Sequence, residues 1–443
     1  MKIVDLRKNN WHTDSELKRI KDRGQGLEGK YAPSVLEIIE NIRKYGDTAA
    51  FGYAKKFDRI DLTSENVKVS EKEIEEAFQK VEPEVIDAIK LATERVKKFH
   101  EHQKENSYFT TEEGIILGQK VTPLESAGIY VPGGKASYPS SVIMNAIPAK
   151  VAGVKKVVMV TPAIDSLEVN RYSLVAAKLS GVDEIYRIGG AHGIAAIAFG
   201  TASIPKVDKI VGPGNIYVAL AKKFLFGQVD IDMVAGPSEV LVIADETANP
   251  EWLAIDLLSQ AEHDELAGCF LVTHDEKTAL DTIGQVNTTL KQLKRKAIAE
   301  KSILNFGTVF LTDNVYHSCE VANIIAPEHL EVATKEPFAL LDNIKNAGAI
   351  FLGHYTCESL GDYLLGPNHV LPTGGSAKFF SPLGVYDFIK RSSILYVSKD
   401  SFEKLSSQTA LLADIEGLEA HGLAARIRSG KKIKVAEKSN VKN

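Results

Sequence analysis

From about Ala127 the sequence repeats one pattern four times: a short β-branched run, a glycine or proline turn, then an amphipathic stretch. The runs are Gly128-Ile129-Tyr130-Val131, Lys156-Val157-Val158-Met159-Val160, Glu184-Ile185-Tyr186-Arg187-Ile188 and Lys209-Ile210-Val211. Their turns are Pro132-Gly133-Gly134, Thr161-Pro162, Gly189-Gly190-Ala191 and Gly212-Pro213-Gly214-Asn215. Strand, turn and helix in repetition predict a parallel sheet wound by helices. The ligand crevice of such a sheet lies beyond the carboxyl ends of its strands, where these turns fall. Glycine lets the backbone approach a phosphate there, and the start of the following helix offers N–H groups. No Gly-x-Gly-x-x-Gly fingerprint is present, and Gly133-Gly134 or Gly189-Gly190 equally suit plain tight turns.

The flanks read differently. Residues 32 to 106 are helical and polar, with Ser34 and Ser70 as helix caps. After the repeats, strands are expected at Val240-Leu241-Val242-Ile243 and Phe270-Leu271-Val272. The helix between them has Asn249 as cap, Pro250 at its first position and Gly268 just past its end. Beyond Pro382 short strands mix with a helix, and a lysine-rich tail runs from Lys431 to Asn443, read as a solvated terminus.

Composition excludes several classes. With 44% hydrophobic and 25% charged residues the 443-residue chain is not largely disordered. Its net charge of −5 gives no global attraction to nucleic acid or to an anionic membrane. The most apolar stretch, Val142 to Val160, is interrupted by Asn145, Pro148, Lys150, Lys155 and Lys156 and cannot span a bilayer. Met1 to Ile20 holds no signal-peptide run, so a cytoplasmic protein is expected. Cys269, Cys319 and Cys357 are too few and too far apart for a disulfide framework or a Cys-x-x-Cys metal motif.

Three segments can carry chemistry. Gln260 and His263, three apart near the end of the Asn249 helix, share one face and can reach one metal ion, although the same stretch also reads as a polar last turn facing water. Asp362 and His421 are further ligand candidates, alternatively a turn residue and a surface histidine. Glu416 and His421 are five apart, about 140° on a regular helix, so both can meet one ligand only if the helix is broken between them. In Pro327-Glu328-His329, Pro327 suits a first helical turn, and Glu328 and His329 offer two bases to one cavity. The plainer alternative is an acidic first turn with a half-buried histidine.

Taken together, the segments from about residue 28 to His421 resemble the histidinol dehydrogenase family. The motifs are Tyr130-Val131-Pro132-Gly133-Gly134, Tyr138-Pro139-Ser140-Ser141-Val142, Gly212-Pro213-Gly214-Asn215, Ala235-Gly236-Pro237-Ser238-Glu239-Val240, Gln260-Ala261-Glu262-His263, Pro327-Glu328-His329-Leu330-Glu331, Asn368-His369-Val370-Leu371-Pro372-Thr373 and Glu416-Gly417-Leu418. The resemblance implies an enzyme of histidine biosynthesis that oxidises L-histidinol through L-histidinaldehyde to L-histidine, using one zinc ion per subunit and two NAD in succession. It implies Gln260, His263, Asp362 and His421 as zinc ligands, Glu328 and His329 as the acid/base pair, and Ser238 and Glu416 as further substrate contacts beside His329 and the four ligands. Tyr130, His192 and Asn215 match cofactor contacts, with His192 standing where the family usually has glutamine. The implied fold is α/β, with two Rossmann-like parallel-sheet domains, one inserted in the other, and small N- and C-terminal extensions. Residues 1–25 form an arm, 26–125 and 236–380 the larger domain, 126–235 the inserted cofactor domain, and 381–443 a segment that completes a partner's site in a homodimer. No nucleic-acid or membrane partner is expected. The competing readings are a dehydrogenase of another polar alcohol on the same scaffold and a silent metal- or nucleotide-binding relative.

Overall fold

The computed structural model describes residues 1–8, 10–21, 28–133 and 138–430. Along the chain, β1 (Lys2–Asp5) precedes helices α1 (Ser15–Lys21), α2 (Glu28–Tyr45), α3 (Asp47–Phe57), α4 (Glu71–Lys80) and α5 (Pro83–Glu101), then a hairpin of β2 (Tyr108–Glu112) and β3 (Ile115–Pro123). The repeats follow as β4 (Ser126–Tyr130), α6 (Pro139–Ala152), β5 (Lys156–Val160), α7 (Arg171–Leu179), β6 (Glu184–Tyr186), α8 (Gly190–Phe199), β7 (Lys209–Val211), α9 (Ile216–Leu225) and β8 (Asp230–Ile231). Next come β9 (Glu239–Ala244), α10 (Pro250–Ala261), β10 (Gly268–Thr273), α11 (Glu276–Thr289), α12 (Lys296–Phe306), β11 (Gly307–Leu311), α13 (Val315–Ile325), β12 (His329–Ala333), β13 (Ala349–Leu352) and the short α14 (Glu358–Leu360). The described chain closes with β14 (Ile389–Val397), α15 (Lys399–Ile415) and α16 (Glu419–Arg428). No helix among the described residues is long and apolar enough to cross a membrane. The lysine-rich tail from Lys431 lies outside the described residues.

Two compact units result: residues 1–104 with 123–388, and residues 105–122 with those from 389 on. The first holds two parallel sheets of Rossmann-like order. One runs β6-β5-β4-β7-β8, the other β1-β11-β10-β9-β12-β13. From β4 in the first and β9 in the second, both central, the chain winds outward one way and then returns to the other side, and β1 adds an outer strand to the larger sheet. The switch points therefore fall between β4 and β7 and between β9 and β12. The four inner strands of the larger sheet are covered on both faces. β9, β10, β11 and β12 are buried at every position; the first three carry largely continuous apolar runs, whereas β12 buries His329 and Glu331 among its apolar residues.

Several local expectations change. Residues 2–5, read as part of an arm, pair with β11 as the outer strand of the larger sheet. Residues 26–125, grouped by sequence with 236–380, instead lay α2 and α3 on α8 and α9, and α4 and α5 on α7 and α6, because the apolar faces of these helices complete the cores of the five-stranded sheet. The hairpin β2–β3 joins β14 in the second unit, in the order β14-β3-β2. Ser34 is not a cap: α2 starts at Glu28 with Pro33 inside it, and the Ser34 hydroxyl donates to the Tyr31 carbonyl. Gly268 does not end α10, which stops at Ala261; it opens β10. Asn249 does cap α10, accepting from the Glu251 N–H at 2.9 Å. Cys269 and Cys319 are buried thiols, whereas Cys357 is half-buried.

Ser70 closes a reciprocal cap on α4: its hydroxyl accepts from the Glu73 N–H at 3.3 Å while Glu73 accepts from the Ser70 N–H at 2.9 Å. Ser70→Ala is expected to destabilise the fold by about 1 kcal/mol. A lowered urea midpoint with unchanged slope would show it, and an unchanged midpoint would refute it.

Candidate active site

Glu239 opens β9 and His329 opens β12, adjacent strands at the centre of the larger sheet. The site is therefore at the amino ends of these strands, opposite the crevice that the carboxyl-end rule selects. Pro327-Glu328-His329 does not start a helix; it leads into β12, where backbone pairing with β9 fixes His329, while the Glu239 N–H holds the Glu328 carboxyl just before the strand.

Glu328 and His329 are buried, 7% and 4% exposed, and so is Glu239. The Glu239 N–H donates to Glu328 Oε2 at 3.0 Å. His329 Nδ1 lies 3.1 Å from the Glu239 carbonyl oxygen. A carbonyl only accepts, so Nδ1 carries a hydrogen there and Nε2 is the atom left to exchange a proton. Nε2 faces Asp362 Oδ1 at 3.5 Å. Beside the ring, Gln260 Nε2 is 3.1 Å from Nδ1 and Gln260 Oε1 is buried without a partner.

Burial raises the Glu328 carboxyl to about 8, against the opposing pull of His329 and the Glu239 N–H. For His329, burial opposes the charged ring, but Glu358, Glu328 and Asp362 outweigh it and the pKa is raised well above its ordinary value. Burial pushes Asp362 up, yet its contact with His329 and the nearby His369 and His263 hold it below the usual range. His263 is lowered, first by desolvation and then by His329, with Asp362 pulling the other way.

Sequence reasoning missed Glu358. Its carboxyl is raised to about 7 by burial, and Oε2 has no partner. One ligand atom each from His329, Glu358 and Asp362 lie within 4.8 Å of one another. The signal was present: Glu358 precedes Asp362 by four residues, one helical turn. The observed turn is α14 running into a π-helical turn over Gly361–Leu365. Behind it, Glu331 Oε1 accepts the Glu358 N–H at 2.8 Å. Three carboxyls crowded on one imidazole repel one another, and a cation relieves such crowding. Ser238, half-buried, precedes Glu239 directly.

The predicted cofactor residues gather at the switch point of the five-stranded sheet. Tyr130 ends β4, and its buried hydroxyl accepts the Gly190 N–H at 3.2 Å. Asn215 caps α9, its Oδ1 accepting from the Tyr217 and Val218 N–H groups, which leaves its amide NH2 facing outward. His192 turns inward: it is 2% exposed, and Nε2 is 3.2 Å from Asp58 Oδ2. Glu416 and His421 lie on the second unit and are exposed. The helix is broken between them, with α15 ending at Ile415, Gly417 at φ +72° and α16 starting at Glu419.

Comparison with known proteins decides the family. The histidinol dehydrogenase family profile matches residues 21–429. The chain belongs to the histidinol dehydrogenase family. A histidinol dehydrogenase of Aquifex aeolicus is 58% identical over 428 residues, 97% of this chain and 99% of that protein. One from Geobacter sulfurreducens is 54% identical over 430 residues, 97% and 100% of the two chains. The crystal structure of histidinol dehydrogenase from Elizabethkingia anophelis superposes with a TM-score of 0.90 at 40% identity, covering 97% of this chain and 98% of that one. Family members are oxidoreductases, and the Rossmann-like order of both sheets agrees with that assignment.

Proposed function

We propose that this chain is a zinc-dependent, NAD-linked histidinol dehydrogenase that oxidises L-histidinol through L-histidinaldehyde to L-histidine, the last steps of histidine biosynthesis, in the cytoplasm. The observation that carries the reading is the buried Glu328–His329 pair, fixed on the two hydrogen-bonding groups of Glu239, beside an unpartnered Gln260 oxygen.

One zinc ion per subunit fits the donor set. Gln260, His263 and Asp362 offer oxygen and nitrogen, the orphaned Gln260 Oε1 needs a partner, and His421 of a second subunit supplies a further nitrogen. Zinc held there would supply polarisation and anchoring of the substrate, being unable to accept electrons. Tyr130, Asn215 and the backbone around His192 would hold NAD at the β4–β7 crevice, where it would supply the hydride-accepting chemistry of both oxidations.

The chain's own groups divide the proton work. A cation held at Asp362 would offset the carboxylates that favour the charged His329 ring, and the neutral ring would then take the hydroxyl proton at Nε2 in the first oxidation. Glu328 keeps one carboxyl oxygen on the Glu239 N–H and uses the other to draw a proton from the water that attacks the aldehyde. His329 then assists again as the hydrated carbon is oxidised. Ser238 contacts the substrate, and Glu416 of the partner attracts its ammonium group. The homodimer is supported by apolar side chains exposed on the second unit around Glu416: Leu411, Leu412, Leu418 and Ile415, the last 74% exposed.

The zinc-supplemented protein is expected to reduce two NAD per histidinol consumed. A ratio of one, with aldehyde accumulating, would overturn the double oxidation.

A further inference from the structure

The turn after β7 is gripped by a buried ion pair. Lys222 on α9 and Asp232 just past β8 are both buried, and their side chains are paired. Both also bind the same residue: Lys222 Nζ donates to the Gly212 carbonyl oxygen at 2.9 Å, and Asp232 Oδ2 accepts the Gly212 N–H at 2.8 Å. Asp232 Oδ1 accepts the Met233 N–H at 2.6 Å. Gly212 sits at φ +113°, and a Cβ there would lie 2.2 Å from the Tyr130 carbonyl oxygen. Only glycine fits, and the turn is thereby pressed against the end of β4.

Stability alone does not explain such a pair, since a well-packed apolar pair of similar volume generally serves the fold as well or better. What the charges add is direction: both hydrogen-bonding groups of one peptide residue are fixed from opposite sides. Asp232 also begins the segment that enters the acid/base site. Four residues on, the Gly236 N–H donates to Thr373 Oγ1 at 2.5 Å, and Glu239 Oε1 accepts the Gly374 N–H at 2.9 Å.

We propose that Lys222 and Asp232 are positioning residues that set the Gly212–Asn215 turn for the dinucleotide. This rests on the reading of the β4–β7 crevice as the cofactor site. Neither residue touches cofactor; both act through Gly212.

The test is a Lys222→Met/Asp232→Asn double variant of the full chain, zinc-loaded. The asparagine oxygen still accepts the Gly212 N–H, and no charge is left unpaired. NADH affinity by fluorescence, KM for NAD, KM for histidinol, zinc content and thermal unfolding are measured. NADH binding is expected to weaken by about tenfold or more, with histidinol KM and zinc content within about twofold. A folded variant with unchanged NADH affinity, an equal rise of both KM values, or a variant that cannot be obtained folded would each overturn the role. Asn215→Asp separates the two layers, because it keeps the α9 cap but removes the amide NH2. If it leaves NADH affinity unchanged, the cofactor reading itself fails, and the proposal with it. If it weakens binding while the double variant does not, the positioning proposal alone fails.

Discussion

Glu328→Gln is expected to leave histidinol-to-aldehyde turnover within about tenfold of normal while slowing aldehyde-to-acid turnover by about 10²–10⁴-fold. The variant should therefore release one NADH per histidinol where the unaltered protein releases two. Glutamine keeps an oxygen to accept the Glu239 N–H, so the fold around β9 and β12 persists. It cannot take a proton from water, which only the second oxidation requires. The pH dependence follows from the same group. Burial holds the Glu328 carboxyl up at about 8, so its basic form grows as pH rises and aldehyde oxidation climbs with it. A cation held nearby favours the carboxylate, so in the zinc-loaded protein the limb falls no higher than about pH 8. The stability sign is the reverse of a salt-bridged acid: with its folded pKa above its unfolded one, Glu328 contributes stability fully below about pH 4.5, and this is lost as pH rises through about 8. Glu328→Gln removes that alkaline loss. Stopped-flow with histidinol and with histidinaldehyde separates the steps, and equal slowing of both would defeat the division of labour.

How much of this was legible depends on the range of the interaction. The bounds of β5 and β7 follow directly from the Lys156–Val160 and Lys209–Val211 runs, because local β-branched patterning and a following glycine or proline are decided within a few residues. The Asn249–Pro250 start of α10 is local in the same way. Pro327 misled because a proline suits the start of either a helix or a strand, and β12 is decided by pairing with β9, about 90 residues earlier. No periodicity announces that His329 meets Gln260 across 69 residues, or that Glu358 faces both His329 and Asp362. His192 shows a different limit: a family position fixes where a residue stands, whereas the direction of its ring is set by Asp58, 134 positions away.

Mixing the Glu328→Gln and His421→Asn proteins, both expected to be crippled in aldehyde-to-acid turnover, under conditions of subunit exchange should restore about a quarter of the normal rate of that step, as expected for a two-fold dimer whose sites each combine two chains. Random exchange makes half of the dimers mixed. In each of those, one site pairs an intact Glu328 with an intact His421, and the other carries both lesions. His421 and Glu416 suit this task. Both are exposed on the second unit, and both are fixed by the α15–α16 corner, where Arg426 pairs with Asp414 and the Leu418 N–H donates to the Ala413 carbonyl at 2.9 Å. Gly417, at φ +72°, turns the chain between them, so they escape the wide angular separation of a continuous helix. His421→Asn alone should lose zinc, because an amide replaces an imidazole ligand, while Glu328→Gln should keep it. In an equimolar mixture bound zinc should stay at about half of the sites while activity rises, because exchange redistributes the intact His421 side chains without changing their number. If exchange is shown by tagged subunits and activity stays at the background of the separate variants, His421 serves its own chain and the shared site is refuted.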